Sequence, residues 1–352
     1  MTKNIRQLFR QELIKQQKKG SVNNRHSYKL KTGHKADYTR IYSHRSYEIH
    51  WKRAQTFAIW LKEQTLIRSM DEITRDVAIQ YLIYQRDKGL SASTLNADAL
   101  IINHLMIGSQ YWKPEERIIK SKISGMPKRS YLERRNKLLT SDEWRRFYPD
   151  RYQRYRDEID TIRAFGLRRR EMFSVHSQAK SEGFGPQSVY RDESGRLLAL
   201  VRGKGGKIRL APVRDALCNR MEELYGCYAY PVTEELLKKE VYHRHMRANK
   251  PFYVDMPHSI PAHIFRAEYA QERLKELDKV AYSGTRTVKT YVRNGHKPDG
   301  RWHWVASTKE INLSDNWQVG AYKAQYGAFF ELSKELGHNR LDVLHHYLGV
   351  GR

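Results

Sequence analysis

Three histidines and a tyrosine crowd into "ELGHNRLDVLHHYLG", residues 335–349. A packed core has little use for three imidazoles and a phenol together. A phenol among cations can do chemistry. Free tyrosine has a pKa of ~10, so a nucleophilic phenol needs positive neighbours to react at neutral pH. Tyr347 follows His338 by 347 − 338 = 9 residues. Gly337 is placed to end one helix, with His338 just past it. "RLDVLHHYLG" then starts a short helix with Leu341, Leu344 and Leu348 facing inward. On this reading His345 and His346 are surface or packing residues.

The other candidates lie upstream and are mostly cationic. "FGLRRREM" sets Arg168, Arg169 and Arg170 before Glu171. A guanidinium fork matches phosphate oxygens. Helical neighbours point ~100° apart, so one or two of the three can face a site. "GKGGKIR" puts Lys204 on a glycine-rich turn, followed by Lys207 and Arg209. It lacks the spacing and the Lys-Ser/Thr pair of a nucleotide-phosphate loop. "HIFR" sets His263 and Arg266 at i and i+3, on one helix face. Such a pair can hold an anionic oxygen and move a proton.

The elements that must position these residues can be read coarsely. The chain has 352 residues, comfortable for two domains. Residues 1–44 are basic and poor in aliphatics, and read as an N-terminal arm, flexible or partly helical. Residues 45–112 carry three amphipathic patterns. Trp51, Ala54, Phe57, Ala58 and Leu61 share a helical face, and so do Val77, Tyr81 and Tyr84. "SASTLNADALIINHLMIG" begins with capping candidates and turns apolar. This predicts a small helical domain, with a charged linker at 113–136. A second domain spans 137–352 and opens on Thr140 and Glu143, a capping-box pair. "SVYRDESGRLLALVRGKGGKIRLAPV" predicts two consecutive hairpins. "HIFRAEYAQERLKELD" predicts a helix. Residues 282–320 read as an insertion, a β-ribbon rich in Gly, Trp and basic residues. The expected fold class is mainly α with a small β-sheet.

Charge narrows the partner. Lys and Arg number 65 against 39 Asp and Glu, a net +26. That excess does not suit a small neutral substrate and points to a polyanion. Residues 1–136 carry 27 − 12 = +15, and the rest 38 − 27 = +11, so both domains can face the same polyanion. Cys218 and Cys227 fit no zinc spacing. No apolar run nears the ~20 residues of a membrane span, and the N-terminus lacks a secretory signal. A soluble, cytoplasmic DNA-binding protein is expected, with no membrane partner.

In sequence order, "GLRRRE", "GKGGKIR", "HIFR", "LGH" and the near-terminal tyrosine resemble the catalytic motifs of the tyrosine recombinases, the phage-integrase family. "KLLTSDE" resembles the helix that opens their catalytic domain, and "GLSASTLNADAL" a helix start in their core-binding domain. The resemblance covers about residues 45–349, and "SKELGHNRLDVLHHYLG" is its most specific part. It implies a two-domain DNA clamp. The catalytic residues would be Arg168, Lys204, His263, Arg266, His338 and the nucleophile Tyr347, with Glu171 supporting Arg168. Arg169, Arg170, Lys207 and Arg209 would contact DNA. Arg301, Trp302 and Trp304 would lie against DNA, a partner protomer or the core.

The resemblance also implies an activity. Tyr347 would attack a DNA phosphate to give a 3′-phosphotyrosyl bond and a free 5′-hydroxyl, with no cofactor and no metal. Arg168, Arg266 and His338 would stabilise the phosphoryl oxygens. Lys204 would act as general acid, and His263 would assist removal of the phenol proton. The expected task is integration and excision of a mobile element in a bacterial nucleoid. The partners would be double-stranded recombination sites, a tetramer of this chain in the synapse, and accessory DNA-bending proteins. Dimer resolution, inversion, a type IB topoisomerase or a telomere resolvase would share the chemistry. A DNA-binding architectural protein without catalysis is the reading from another class. Two departures stand out. Arg266 and His338 are 338 − 266 = 72 residues apart, wider than usual. Only Leu348 to Arg352 follow Tyr347, where many relatives carry a further helix.

Overall fold

The structure, a computed structural model, describes residues 4–21, 37–128, 139–173, 183–203, 208–296, 302–338 and 341–348, with the backbone alone at 21, 289–296, 302–307 and 342. Its contacts divide into two units, Met1–Ser130 and Tyr131–Arg352.

The first unit is helical. It contains α1 (Ile5–Ser21), α2 (His44–Gln64), α3 (Arg75–Asp87) and α4 (Ala92–Gly108). Ser43, Thr74 and Ser91 start α2, α3 and α4 by accepting the backbone N–H three residues on. The expected apolar faces meet in one core. Ala54, Phe57, Ala58, Leu61 and Tyr81 are buried there.

The structure sharpens two sequence expectations. The first 44 residues are not all flexible: the helical part of the expected arm, α1, buries Phe9 and Leu13, and the Phe9 ring stacks on Phe57 at 5.8 Å. These two apolar residues recur four apart in a segment whose basic composition hides them. The segment from 113 is not all linker either. Ile118 is buried, and its backbone exchanges two hydrogen bonds with the Asn103 amide.

The second unit begins with α5 (Ser141–Phe147), α6 (Pro149–Arg154), α7 (Arg156–Phe165) and the single turn α8 (Arg169–Met172). The capping box forms as expected: Thr140 Oγ1 accepts from Glu143 N, and Glu143 Oε2 accepts from Thr140 N. A four-stranded sheet follows, built from β1 (Val189–Arg191), β2 (Leu197–Arg202), β3 (Ile208–Pro212) and β4 (Tyr230–Pro231) in the order β3-β2-β1-β4. The antiparallel β1–β2 and β2–β3 pairs match the two expected hairpins. Lys204 and Lys207 lie outside the described residues.

α9 (Cys218–Tyr225), α10 (Lys239–Met246) and α11 (Ala262–Leu277) come next. Residues 282–320 hold the expected ribbon, an antiparallel pair of β5 (Thr285–His296) and β6 (Trp302–Asn312). The end of that span is not an appendage. A second hairpin, β7 (Asn316–Val319) with β8 (Tyr322–Gln325), buries Val319 and Ala324 beside α11 residues Tyr269 and Leu274. The side chains of Arg301, Trp302 and Trp304 lie outside the described ones. α12 (Tyr326–Glu335) and the four-residue α13 (His345–Leu348) complete the unit. The fold class is mainly α with small sheets, as expected. No helix among the described residues is long and apolar enough to cross a membrane.

Candidate active site

Helix ends build the site. The last carbonyls of a helix have no partner within it and carry partial negative charge. α7 ends at Gly166 and α12 at Leu336, and both carbonyls face arginines. Leu336 O accepts from Arg266 Nη2 at 2.7 Å and from Arg168 Nη2 at 3.2 Å. Gly166 O accepts from Arg266 Nη1 and from Arg209 Nη2. Gly166 can end α7 there because its φ is +59°, in the left-handed region. A Cβ on it would lie 2.4 Å from the Tyr269 ring.

Glu171 is the counter-charge. It is 2 % exposed. Its carboxylate accepts from Arg168 Nη1 at 2.6 Å and from Arg209 Nη2 at 2.8 Å, and Arg266 Nη1 lies 3.6 Å away. It also accepts the Arg168 backbone N–H at 2.8 Å, capping α8. Burial pushes this carboxyl up. The Arg209, Arg266 and Arg168 guanidiniums outweigh burial and bring it down to about 2. Glu171 thus stays ionised and orients three arginines.

Tyr347 closes the site. Gly337, with φ +71°, turns the chain out of α12, and His338 follows it. The phenol oxygen lies 3.2 Å from Arg266 Nε and 3.1 Å from His338 Nε2. The same His338 nitrogen lies 3.1 Å from Arg168 Nη2. Arginine offers only donors, so the phenol accepts from Arg266. The His338 nitrogen stands between the phenol and Arg168. The His263 ring packs edge-on against Tyr347, 5.3 Å between centroids. Gln271 of α11 donates to the Tyr347 carbonyl at 3.1 Å, anchoring α13.

Of the expected site residues, Arg168, Glu171, His263, Arg266, His338 and Tyr347 come together. The nine-residue step from His338 to Tyr347 spans one turn and one short helix. The four expected DNA contacts part ways. Arg170 is exposed. Arg169 is half-buried, with Nη1 donating to Pro257 O at 3.3 Å and Nη2 in an ion pair with Asp255 at 3.6 Å. Arg209 corrects the expectation: its side chain is 5 % exposed, and it reaches Glu171 and two helix ends. The alternation of β3 carries that signal. Arg209 and Ala211 share its buried positions. Lys207 lies outside the described residues. The support from the Gly166 and Leu336 carbonyls and from Gln271 had no sequence signal of its own, because backbone acceptors leave no mark on residue type.

A scan against protein-family models and a search of curated proteins find no match. Among solved structures, the chain is similar to the Tn1549 transposon integrase in complex with transposon right end DNA. The identity is 12%, the TM-score 0.43, and the match covers 99% of this chain and 96% of that one. It is also similar to the XerH site-specific recombinase bound to difH substrate in a pre-cleavage complex. There the identity is 14%, the TM-score 0.45, and the cover 99% and 91%. At these identities and scores, the reading of function rests on the geometry of the site itself.

Proposed function

We propose that the protein is a tyrosine-type site-specific DNA recombinase, which cuts and rejoins DNA strands through a 3′-phosphotyrosyl intermediate. One observation carries the reading. The Tyr347 hydroxyl meets a buried arginine and a histidine nitrogen that a second arginine also holds. A phenol kept for packing alone needs neither cation.

The chemistry follows from charge. Phosphoryl transfer builds negative charge on the phosphate oxygens, and fixed donors lower that barrier. Arg168 and Arg266 clamp those oxygens. Tyr347 O attacks the phosphorus and its proton leaves to an imidazole. His263, edge-on to the phenol ring, and His338, within hydrogen-bond reach of its oxygen, are the two candidates. The bond to the 5′-oxygen breaks, and that oxygen takes a proton, a task that falls to Lys204 by its motif. The phosphotyrosyl ester keeps the bond energy, so a partner strand's 5′-hydroxyl reverses the step without ATP. The net charge of +26 suits duplex DNA as substrate. Integration and excision of a mobile element, by a tetramer on paired sites, is the task we assign.

The test is a covalent-adduct assay in EDTA. The protein is mixed with duplexes spanning the ends of the genetic element that encodes it, nicked so that the cleaved strand escapes. A denaturant-stable protein–DNA band that requires Tyr347 is the expected result. Tight binding without a band would favour an architectural DNA-binding role.

A further inference from the structure

We infer that Arg209 is a positioning residue of this site, a support that ties Glu171 and the ends of α7 and α12 together beneath Arg168, Arg266 and His338. The inference rests on the phosphoryl-transfer reading above, and goes beyond it in giving a buried strand residue a part in the reaction.

The contacts of Arg209 come from three separate elements. Nη2 donates to Glu171 Oε2 at 2.8 Å and to Gly166 O at 3.4 Å. Nη1 donates to Glu335 O in the last turn of α12. These acceptors also set the working residues. Glu171 holds Arg168, and Gly166 O holds Arg266. The aliphatic stem acts as well. A Cβ on Gly337 would lie 2.8 Å from Arg209 Cδ, so the turn that carries His338 rests directly on this side chain. Glycine before His338 is therefore required twice, by its φ of +71° and by the arginine beneath it.

Arginine suits this place better than lysine. Its planar fork satisfies several acceptors in fixed directions, whereas an ammonium is a point charge. Its charge also matters. Among the groups facing Glu171, Arg168 sits at its own helix start, Arg209 on β3 and Arg266 on α11. Removing Arg209 leaves the carboxylate with two of these three cations. With a side chain 5 % exposed, Arg209 is not available as a surface contact for DNA.

The experiment compares Arg209→Met, Arg209→Lys, Glu171→Gln and the Glu171→Gln/Arg209→Met double variant. Tyr347-dependent adduct formation is timed in single turnover at saturating DNA. DNA affinity is measured against salt. Arg209→Met is expected to slow the adduct about a hundredfold. Its DNA affinity and salt slope should stay as in wild type, and Arg209→Lys should recover part of the rate. Glu171→Gln alone should also slow the adduct, and the double variant should lose less than the two single losses combined, because both substitutions act on one contact.

Several outcomes overturn the inference. One is a salt slope shallower by about one, with a normal rate at saturation, which marks a DNA contact. Another is an equal loss of rate in both Arg209 variants with simply additive losses in the double variant, which marks a merely structural residue. If Arg209→Met does not fold, Arg209→Lys decides: a slower rate at saturation with unchanged DNA affinity supports the inference, and a wild-type rate overturns it. If wild type itself forms no Tyr347-dependent adduct, the phosphoryl-transfer reading fails and the inference falls with it. A wild-type adduct with unaffected Arg209 variants sinks the inference alone.

Discussion

Arg266 Nε lies 3.2 Å from the Tyr347 hydroxyl, although 81 positions separate the two residues. The guanidinium is 1 % exposed and its carbon sits 5.3 Å from the Tyr347 ring centroid. Burial pulls Arg266 below its usual value to about 10, and Tyr347 and Glu171 act against that fall. Two helix-end carbonyls, Gly166 O and Leu336 O, accept from its Nη1 and Nη2. A buried cation thus stands beside the phenol without being consumed by a single strong ion pair.

Tyr347→Phe removes the proposed nucleophile and little else. The adduct rate should fall by about 10⁴-fold or more. DNA affinity should not change. Stability should fall by about 1 kcal/mol, the net worth of a lost hydrogen bond. A denaturing gel, a binding isotherm and a urea melt check the three parts. A surviving adduct would mean that another residue attacks.

Arg266→Ala and Arg168→Ala should separate stability from chemistry. Both remove a proposed phosphate clamp, so each should slow adduct formation by about 10²–10³-fold. Arg266 is fully enclosed, and its loss strands two carbonyls and weakens the hold on Glu171. That should cost about 3 kcal/mol or more. The Arg168 side chain is 25% exposed, and Arg209 and Arg266 still face Glu171 without it. Its loss should cost less in the same melt. Equal destabilisation by the two would contradict the packing described here.

How much of this was legible beforehand depended on where each constraint is written. Helix starts are written in side chains, so Thr140 and Glu143 were readable as a capping box, and Gly337 as a helix end. Apolar periodicity exposed α2 and α3 for the same reason. α1 was obscured because Phe9 and Leu13 are few among many charges, and tertiary packing settled their role. Arg209 was misread because a motif rich in Lys and Gly suggests a surface turn. One residue later the strand's alternation points this arginine inward. The acceptors on Gly166, Leu336 and Glu335 could not be read at all, since every residue has a carbonyl and only the fold decides which ones meet an arginine.

His338 and His263 can be told apart by substitution. His338 Nε2 lies within hydrogen-bond reach of both Arg168 and the phenol oxygen, whereas His263 packs edge-on against the same ring. His338→Ala should slow adduct formation by about 10²-fold or more, the usual worth of a placed acid–base group. His263→Ala should cost less. A higher external pH should partly restore His338→Ala, because hydroxide then helps to deprotonate the phenol. If His263→Ala shows the larger loss and the pH rescue, the proton leaves by that histidine instead.

Acid should unfold the second unit through its buried carboxylates. Burial raises Glu171 and Glu268, but their arginines prevail and hold both at about 2, against an ordinary 4.5. Glu268 is gripped by Arg163 at 2.7 and 2.8 Å and by Arg214 at 2.6 Å. A carboxyl depressed in the fold stabilises it fully above the unfolded value, and that contribution is lost as pH falls towards the folded one. The melting temperature should therefore hold above about pH 4.5 and drop steeply towards pH 2. Glu171→Gln should melt lower at neutral pH, with three arginines left around a neutral amide, and should lose less on acidification. Melts followed by circular dichroism at each pH test this. Parallel curves for the two proteins would show that Glu171 is not a source of the acid sensitivity.

Gly166→Ala probes the support of the site without touching a charge. The residue has φ +59°, and an added Cβ would lie 2.4 Å from one Tyr269 ring carbon and 2.8 Å from two more. The ring cannot retreat freely, because its hydroxyl shares its one proton between Pro212 O and Glu335 Oε2, each at 3.0 Å. The left-handed conformation alone costs a non-glycine residue roughly 1 kcal/mol, and overpacking adds about 1–3 kcal/mol. The carbonyl of Gly166 must then shift, and with it the Arg266 and Arg209 contacts it accepts. Stability should fall by about 2–4 kcal/mol, and adduct formation should slow even at temperatures where the variant is fully folded. A variant that is destabilised yet cleaves at the wild-type rate would show that the Gly166 carbonyl supports the fold and not the clamp.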